Sequence, residues 1–135
     1  MPASTPTPID LASLVQPNDP LEAIVLFTRT GRLLAAWTRN DVPLEVLTVM
    51  AATLIGSIET MSTALGVESP REIALLVDSR RVLGLKLNPN VAILVVASAR
   101  TSDVALRSVT ERIVRRLPPL SSARTGTGSD QLRAP

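Results

Sequence analysis

The chain has 135 residues, 45% of them hydrophobic and 19% charged, which supplies one packed core and excludes global disorder. It has no cysteine and no histidine, so disulfides, thiolate and imidazole chemistry and the usual zinc sites are excluded together. Fourteen basic residues against twelve acidic leave a net charge of +2, and Phe27 and Trp37 are the only aromatics, a poor basis for stacking on nucleic-acid bases.

Three zones follow one another. Residues 1–20 form a Pro-rich leader with five of the eleven prolines. Residues 21–117 are apolar and periodic and form the expected domain. Residues 118–135 are rich in Ser, Thr, Gly, Arg and Pro and read as a disordered tail. The leader has no basic stretch followed by an apolar run, so a cytoplasmic protein without a targeting segment is expected.

Within the leader, Thr7, Pro8 and Asp10 suit a helix start, and Leu11, Leu14 and Val15 share a face; a short helix at 8–16 is one reading, disorder the other. A first strand is expected over Ala23–Thr30 and a second over Leu33–Thr38, joined as a hairpin through Thr30-Gly31. A long helix follows over Val42–Leu65, capped by Asp41 and stopped by Gly66. Leu47, Ala51, Leu54, Ile58, Met61 and Leu65 recur at steps of four and three and predict its sheet-facing stripe. Strands are then expected over Glu72–Asp78, Val82–Leu87 and Val91–Ala99, the last apolar throughout and therefore central. A closing helix over Ser102–Leu117 presents Val104, Leu106, Val109, Ile113 and Leu117 to the core. The first and last strands should be neighbours, which puts Glu72–Asp78 at an edge, with helices covering both sheet faces.

The long helix carries the functional clue. Its only charges are Glu45 and Glu59, and none falls between Val46 and Ile58. The side opposite the predicted stripe bears Val49, Ala52, Thr53, Gly56, Thr60 and Thr63, where a surface helix normally shows Lys, Glu or Arg. Such small side chains let another helix approach closely. A solvated face rich in Ala and Thr is the plainer reading; a two-fold dimer through this helix is the sharper one. The edge strand can join the contact through Ile73, Leu75 and Val77, or be guarded by Arg71, Glu72, Asp78 and Arg80. A membrane span is set aside, because the uncharged stretch is too short and Thr, Gly and Ser interrupt it.

This pattern resembles the Roadblock/dynein-light-chain family, including its bacterial MglB-type members. The residues that carry the resemblance are the apolar first strand, the Thr30-Gly31-Arg32 turn, the Leu-Ala-rich second strand, the long helix ending at Leu65-Gly66, and three strands closed by VAILVVASA. The resemblance covers about Leu21–Leu117. It implies an α+β fold of profilin-like topology, a five-stranded antiparallel sheet between helices. It also implies a homodimer formed through the long helix and the third strand, and a non-enzymatic partner of a Ras-like small GTPase. Some bacterial members stimulate GTP hydrolysis by reorienting the GTPase's own residues; others are scaffolds. The family has no shared catalytic residue.

Other chemistry finds little support. The six glycines form no phosphate loop, and Lys86 is the only lysine, so neither an enzyme nor a cofactor is expected. Asp78 and Glu72 could bind a cation with Asp103, but nothing in their spacing asks for one. Arg112, Arg115 and Arg116 read first as a solvated, dipole-complementing end of the last helix, and second as a patch for an acidic partner. Two functions remain: a homodimeric regulator or scaffold that binds a Ras-like small GTPase, and a scaffold or small-ligand sensor without a GTPase partner.

Overall fold

Strand β1 (Leu21–Thr28) is apolar on both pleat faces, so it can be stable only inside a sheet covered on both sides. The computed structural model, which describes residues 9–120, places it there. With β2 (Leu33–Thr38), β3 (Glu72–Val77), β4 (Arg80–Asn88) and β5 (Val91–Ser98) it forms one antiparallel sheet of order β2-β1-β5-β4-β3. The two fully buried strands are neighbours, with Val25 opposite Leu94 and Leu26 opposite Ile93, and β3 is an edge strand.

The alternation of side chains divides the core in two. Ala23, Val25, Phe27, Ala92, Leu94 and Val96 lie beneath the long helix α1 (Leu44–Leu65). Ile24, Leu26, Ile93, Val95 and Ala97 face the other way, toward Leu106 and Ile113 of α2 (Asp103–Arg115). Ser102 caps α2 by accepting the Ala105 N–H, as its sequence predicts. The apolar side of α2 is shifted from the expected one. Val104 is exposed and Thr110 is buried, its hydroxyl donating to the Leu106 carbonyl.

In place of a leader helix there is a single 3₁₀ turn, Ala12–Leu14. The Ser13 hydroxyl donates to the Asp10 carbonyl there. Leu11, 1% exposed, enters the core beside α2, with Ile9, Leu14 and Val15 packed around it. Residues 9–20 are thus built onto the sheet. Residues 1–8 and 121–135, which include Pro8 and most of the predicted tail, lie outside the described residues.

Helix α1 begins two residues later than expected and has no side-chain cap; Pro43 takes the N-cap position and Asp41 lies outside. Its end is as expected. Gly66 adopts φ 71° and its N–H reaches the Ser62 and Thr63 carbonyls. A side chain is strained in that left-handed conformation, so Gly66→Ala is expected to lower stability by about 1 kcal/mol, readable by thermal unfolding. The β3–β4 connection is tighter than expected: only Asp78 and Ser79 lie between the strands, and Asp78 takes the positive φ (53°) that such a hairpin requires.

Candidate interaction surface

Helix α1 approaches β1 and β2 most closely and leaves the same face of β4 and β3 open. The result is a groove of about 650 Å³ between the helix and the sheet edge. Leu47, Met50, Ala51 and Leu54 form its helical wall, and Leu75, Val77, Val82, Leu94 and Val96 its floor and far wall. Leu75 lies opposite Val82 across β3–β4, which puts both on one face. Charge gathers at the ends. At one mouth Arg80 pairs with Glu22 at 2.8 Å, near Asp41 and Asp78. Four residues along β4 from Val82, Lys86 pairs with Glu59 at 3.2 Å and with the Ser69 hydroxyl at 2.8 Å. Arg29 pairs with the same Glu59.

These pairs consume one of the two charges of α1; the other, Glu45, is exposed in the first turn, so the outward side is neutral from Val46 onward. The threonine hydroxyls of that side are also spent. Thr53, Thr60 and Thr63 donate to the Val49, Gly56 and Glu59 carbonyls at 2.8, 3.0 and 3.0 Å. The outward face therefore offers methyl groups where polar atoms would be expected. Gly56 is half-buried, and a Cβ added there would meet nothing within 4 Å.

The stripe that packs on the sheet is not the predicted one. Thr48, Ala51, Ile55 and Ser62 are buried, whereas Met61 and Leu65 are 58% and 73% exposed. The helix is apolar nearly all round, so periodicity alone cannot choose the face. Thr48 and Ser62 can go inward because their hydroxyls donate to the Leu44 and Ile58 carbonyls.

The nine residues expected at an interface fall in two places. Leu75 (38% exposed) and Val77 (55% exposed) line the groove, and Ile73 packs half-buried on the same face. Val49 and Ala52 lie beside Gly31 in the β1–β2 turn, and Thr53, Gly56, Thr60 and Thr63 continue that side. Leu54 and Gly56 point about 160° apart around the helix, so the small-residue side does not line the groove. Sequence reasoning missed Met50, and it assigned Leu47 and Leu54 to the covered stripe. The available signal was a second apolar row, Val46, Met50, Leu54 and Met61, beside the first. By length and composition α1 would suffice to cross a membrane, with 22 residues and a mean hydropathy of 1.4. Ala51 and Ile55 seated on the sheet and Glu59 paired to Arg29 and Lys86 make it a wall of this domain instead.

The two sheet edges differ. β2 carries a bulge opposite Leu26 and Phe27, a device that discourages edge pairing, whereas β3 pairs with β4 in unbroken register. No charge interrupts Ile73–Val77.

The remaining candidate charges have structural partners. Glu72 pairs with Arg107 and Asp103 with Arg81, so these carboxylates do not converge with Asp78. Among the described residues no group of three or more potential metal ligands occurs. Arg112 is not part of a solvated cluster. It grips the buried Asp19 with both terminal nitrogens, Nη1 at 3.0 Å from Oδ1, and donates to the Leu14 carbonyl. That hydrogen bond holds the Asp19 carboxyl below its ordinary pKa, against the opposing effect of burial.

An antiparallel sheet of this order, with a long helix on one face and a short helix on the other, is the expected α+β architecture. The chain belongs to the Roadblock/LC7 domain family, whose model matches residues 10–97. Solved structures agree in fold. Myxococcus xanthus MglB superposes with a TM-score of 0.69 at 12% identity, over 78% of this chain and 89% of that one. An MglB with tetrameric arrangement gives 0.67 at 14%, over 77% and 79%. A Roadblock/LC7 domain from Streptomyces avermitilis gives 0.67 at 15%, over 77% and 88%. No curated protein sequence matches the chain.

Proposed function

We propose that this protein is a non-enzymatic, cytoplasmic homodimer that binds a Ras-like small GTPase and regulates it or holds it in place. The observation that carries the reading is α1, uncharged from Val46 to Ile58, its outward threonine hydroxyls satisfied within the helix, beside an open apolar groove. A contact across a two-fold axis sets residues near the axis against their own copies, so a patch of one sign would repel itself. A neutral face suits that arrangement. The unguarded β3 edge, continuous with the groove through Leu75 and Val77, supports a second copy on this side. Family membership supports the GTPase, and the relative solved in a tetrameric arrangement supports self-association.

The test is a titration of the GTPase encoded nearest to this protein, loaded with GTP or GDP. Binding that depends on the nucleotide is expected, together with a changed single-turnover hydrolysis rate if the role is regulatory. No binding in either state refutes the GTPase reading and leaves the dimer to be judged by light scattering.

A further inference from the structure

We infer that Met50 and Met61 are a paired oxidation site, and that their conversion to sulfoxides by a hydroperoxide dissolves the dimer. This rests on the dimer proposed above. The chain holds three methionines and no cysteine, and Met1 lies outside the described residues. The other two both stand on α1, 60% and 58% exposed in the protomer. They are separated by about three helical turns, which returns Met61 to the same side of the helix as Met50. Met50 is itself part of the groove wall. Trp37, the other readily oxidised side chain, is half-buried against the core beneath α2. Among the described residues, a peroxide meeting a free protomer therefore finds these two thioethers first.

The sulfur lone pair attacks one peroxide oxygen, the S–O bond forms, the O–O bond breaks and water leaves. Sulfur loses two electrons and the peroxide gains them. The product replaces a soft apolar side chain with a strong hydrogen-bond acceptor. Around Met50 the groove wall is aliphatic, with Leu47, Leu54, Leu75 and Val77, and the Thr53 and Thr60 hydroxyls are already donating; the Ser57 hydroxyl and, at the groove mouth, Arg80 are the donors on that side. Two sulfoxides per protomer must be desolvated in a largely aliphatic contact with few donors, so the dimer dissociation constant should rise by about 100-fold or more. Enzymatic sulfoxide reduction, in which a dithiol becomes a disulfide and the oxygen leaves as water, restores the thioether and with it the dimer.

The full chain is treated with hydrogen peroxide, its oxidised residues are mapped by peptide mass spectrometry, and its mass is followed by light scattering. The expected result has three parts. Loss of the dimer tracks occupancy of Met50 and Met61 and not of Met1. Oxidation slows as protein concentration rises, because association covers both sulfurs. Methionine sulfoxide reductase returns the dimer. A dimer that survives complete oxidation of both residues overturns this inference and leaves the dimer intact as a conclusion. A protein that is monomeric before any peroxide is added overturns both.

Discussion

Arg112→Ala is expected to lower folding stability by about 3 kcal/mol, because it strands a carboxylate that the fold has already taken out of water. The Asp19 side chain is only 6% exposed, and Arg112 is its main partner, gripping both oxygens while also holding the Leu14 carbonyl. The Gln16 N–H still donates to Oδ2 and the Arg39 guanidinium still donates to the Asp19 backbone carbonyl, but only the first bonds the carboxylate itself. For a domain of this size the loss corresponds to a melting temperature lower by roughly 10 °C. The leader should loosen first, since Leu11 enters the core on the strength of this clasp; faster amide exchange at residues 11–19 would show it.

The pH dependence has a definite sign. The folded-state pKa of Asp19 lies below its unfolded value, chiefly through the Arg112 hydrogen bond. The pair's contribution is therefore complete above the ordinary carboxylate range and is lost as pH falls through the depressed folded value. Wild-type and Arg112→Ala stabilities should converge on acidification and differ most near neutrality. A constant gap down to strongly acid pH would show that Arg112 contributes by packing alone.

The second large effect concerns association and leaves folding alone. Leu75→Arg should turn the dimer into a monomer, raising the dissociation constant by at least about 100-fold, as an unpaired guanidinium must otherwise be buried. The protomer should tolerate it, because Leu75 is 38% exposed at an open strand edge. Gly56→Arg is the companion experiment. Nothing lies within 4 Å of the added Cβ, and exchanging a helical glycine for arginine should stabilise the protomer by about 1 kcal/mol. The same change should abolish self-association if the second copy lies on the small-residue side. Sedimentation over a concentration series separates the cases. A monomer from both variants means that the contact spans both sides of α1. A monomer from Leu75→Arg alone confines it to the groove and leaves the Gly56 side for another partner. Two intact dimers would refute the proposed interface.

Much of the fold was legible because local chemistry agreed with it. The doubly apolar β1 and β5 had to be central, the glycine after Leu65 had to end the helix, and β3 was left for an edge. The family resemblance rested on that same order of elements. The leader was not legible: its turn depends on Leu11 finding a socket beside α2 and Asp19 finding Arg112, 93 residues away. Nothing within residues 9–20 reports such a partner.

The candidate site divides along the same line. Residue types alone determined that α1 would carry an uncharged face and that cysteine and histidine chemistry had no place, since both follow from which side chains are present. Which side of α1 is covered was decided only by tertiary packing. An apolar row exists on more than one side, and the sheet took the one with Thr48, Ala51, Ile55 and Ser62, whose two hydroxyls are satisfied on the helix itself. Displaced from the predicted stripe, the helix seats over β1 and β2, and the groove it leaves above β3 and β4 exists only in three dimensions.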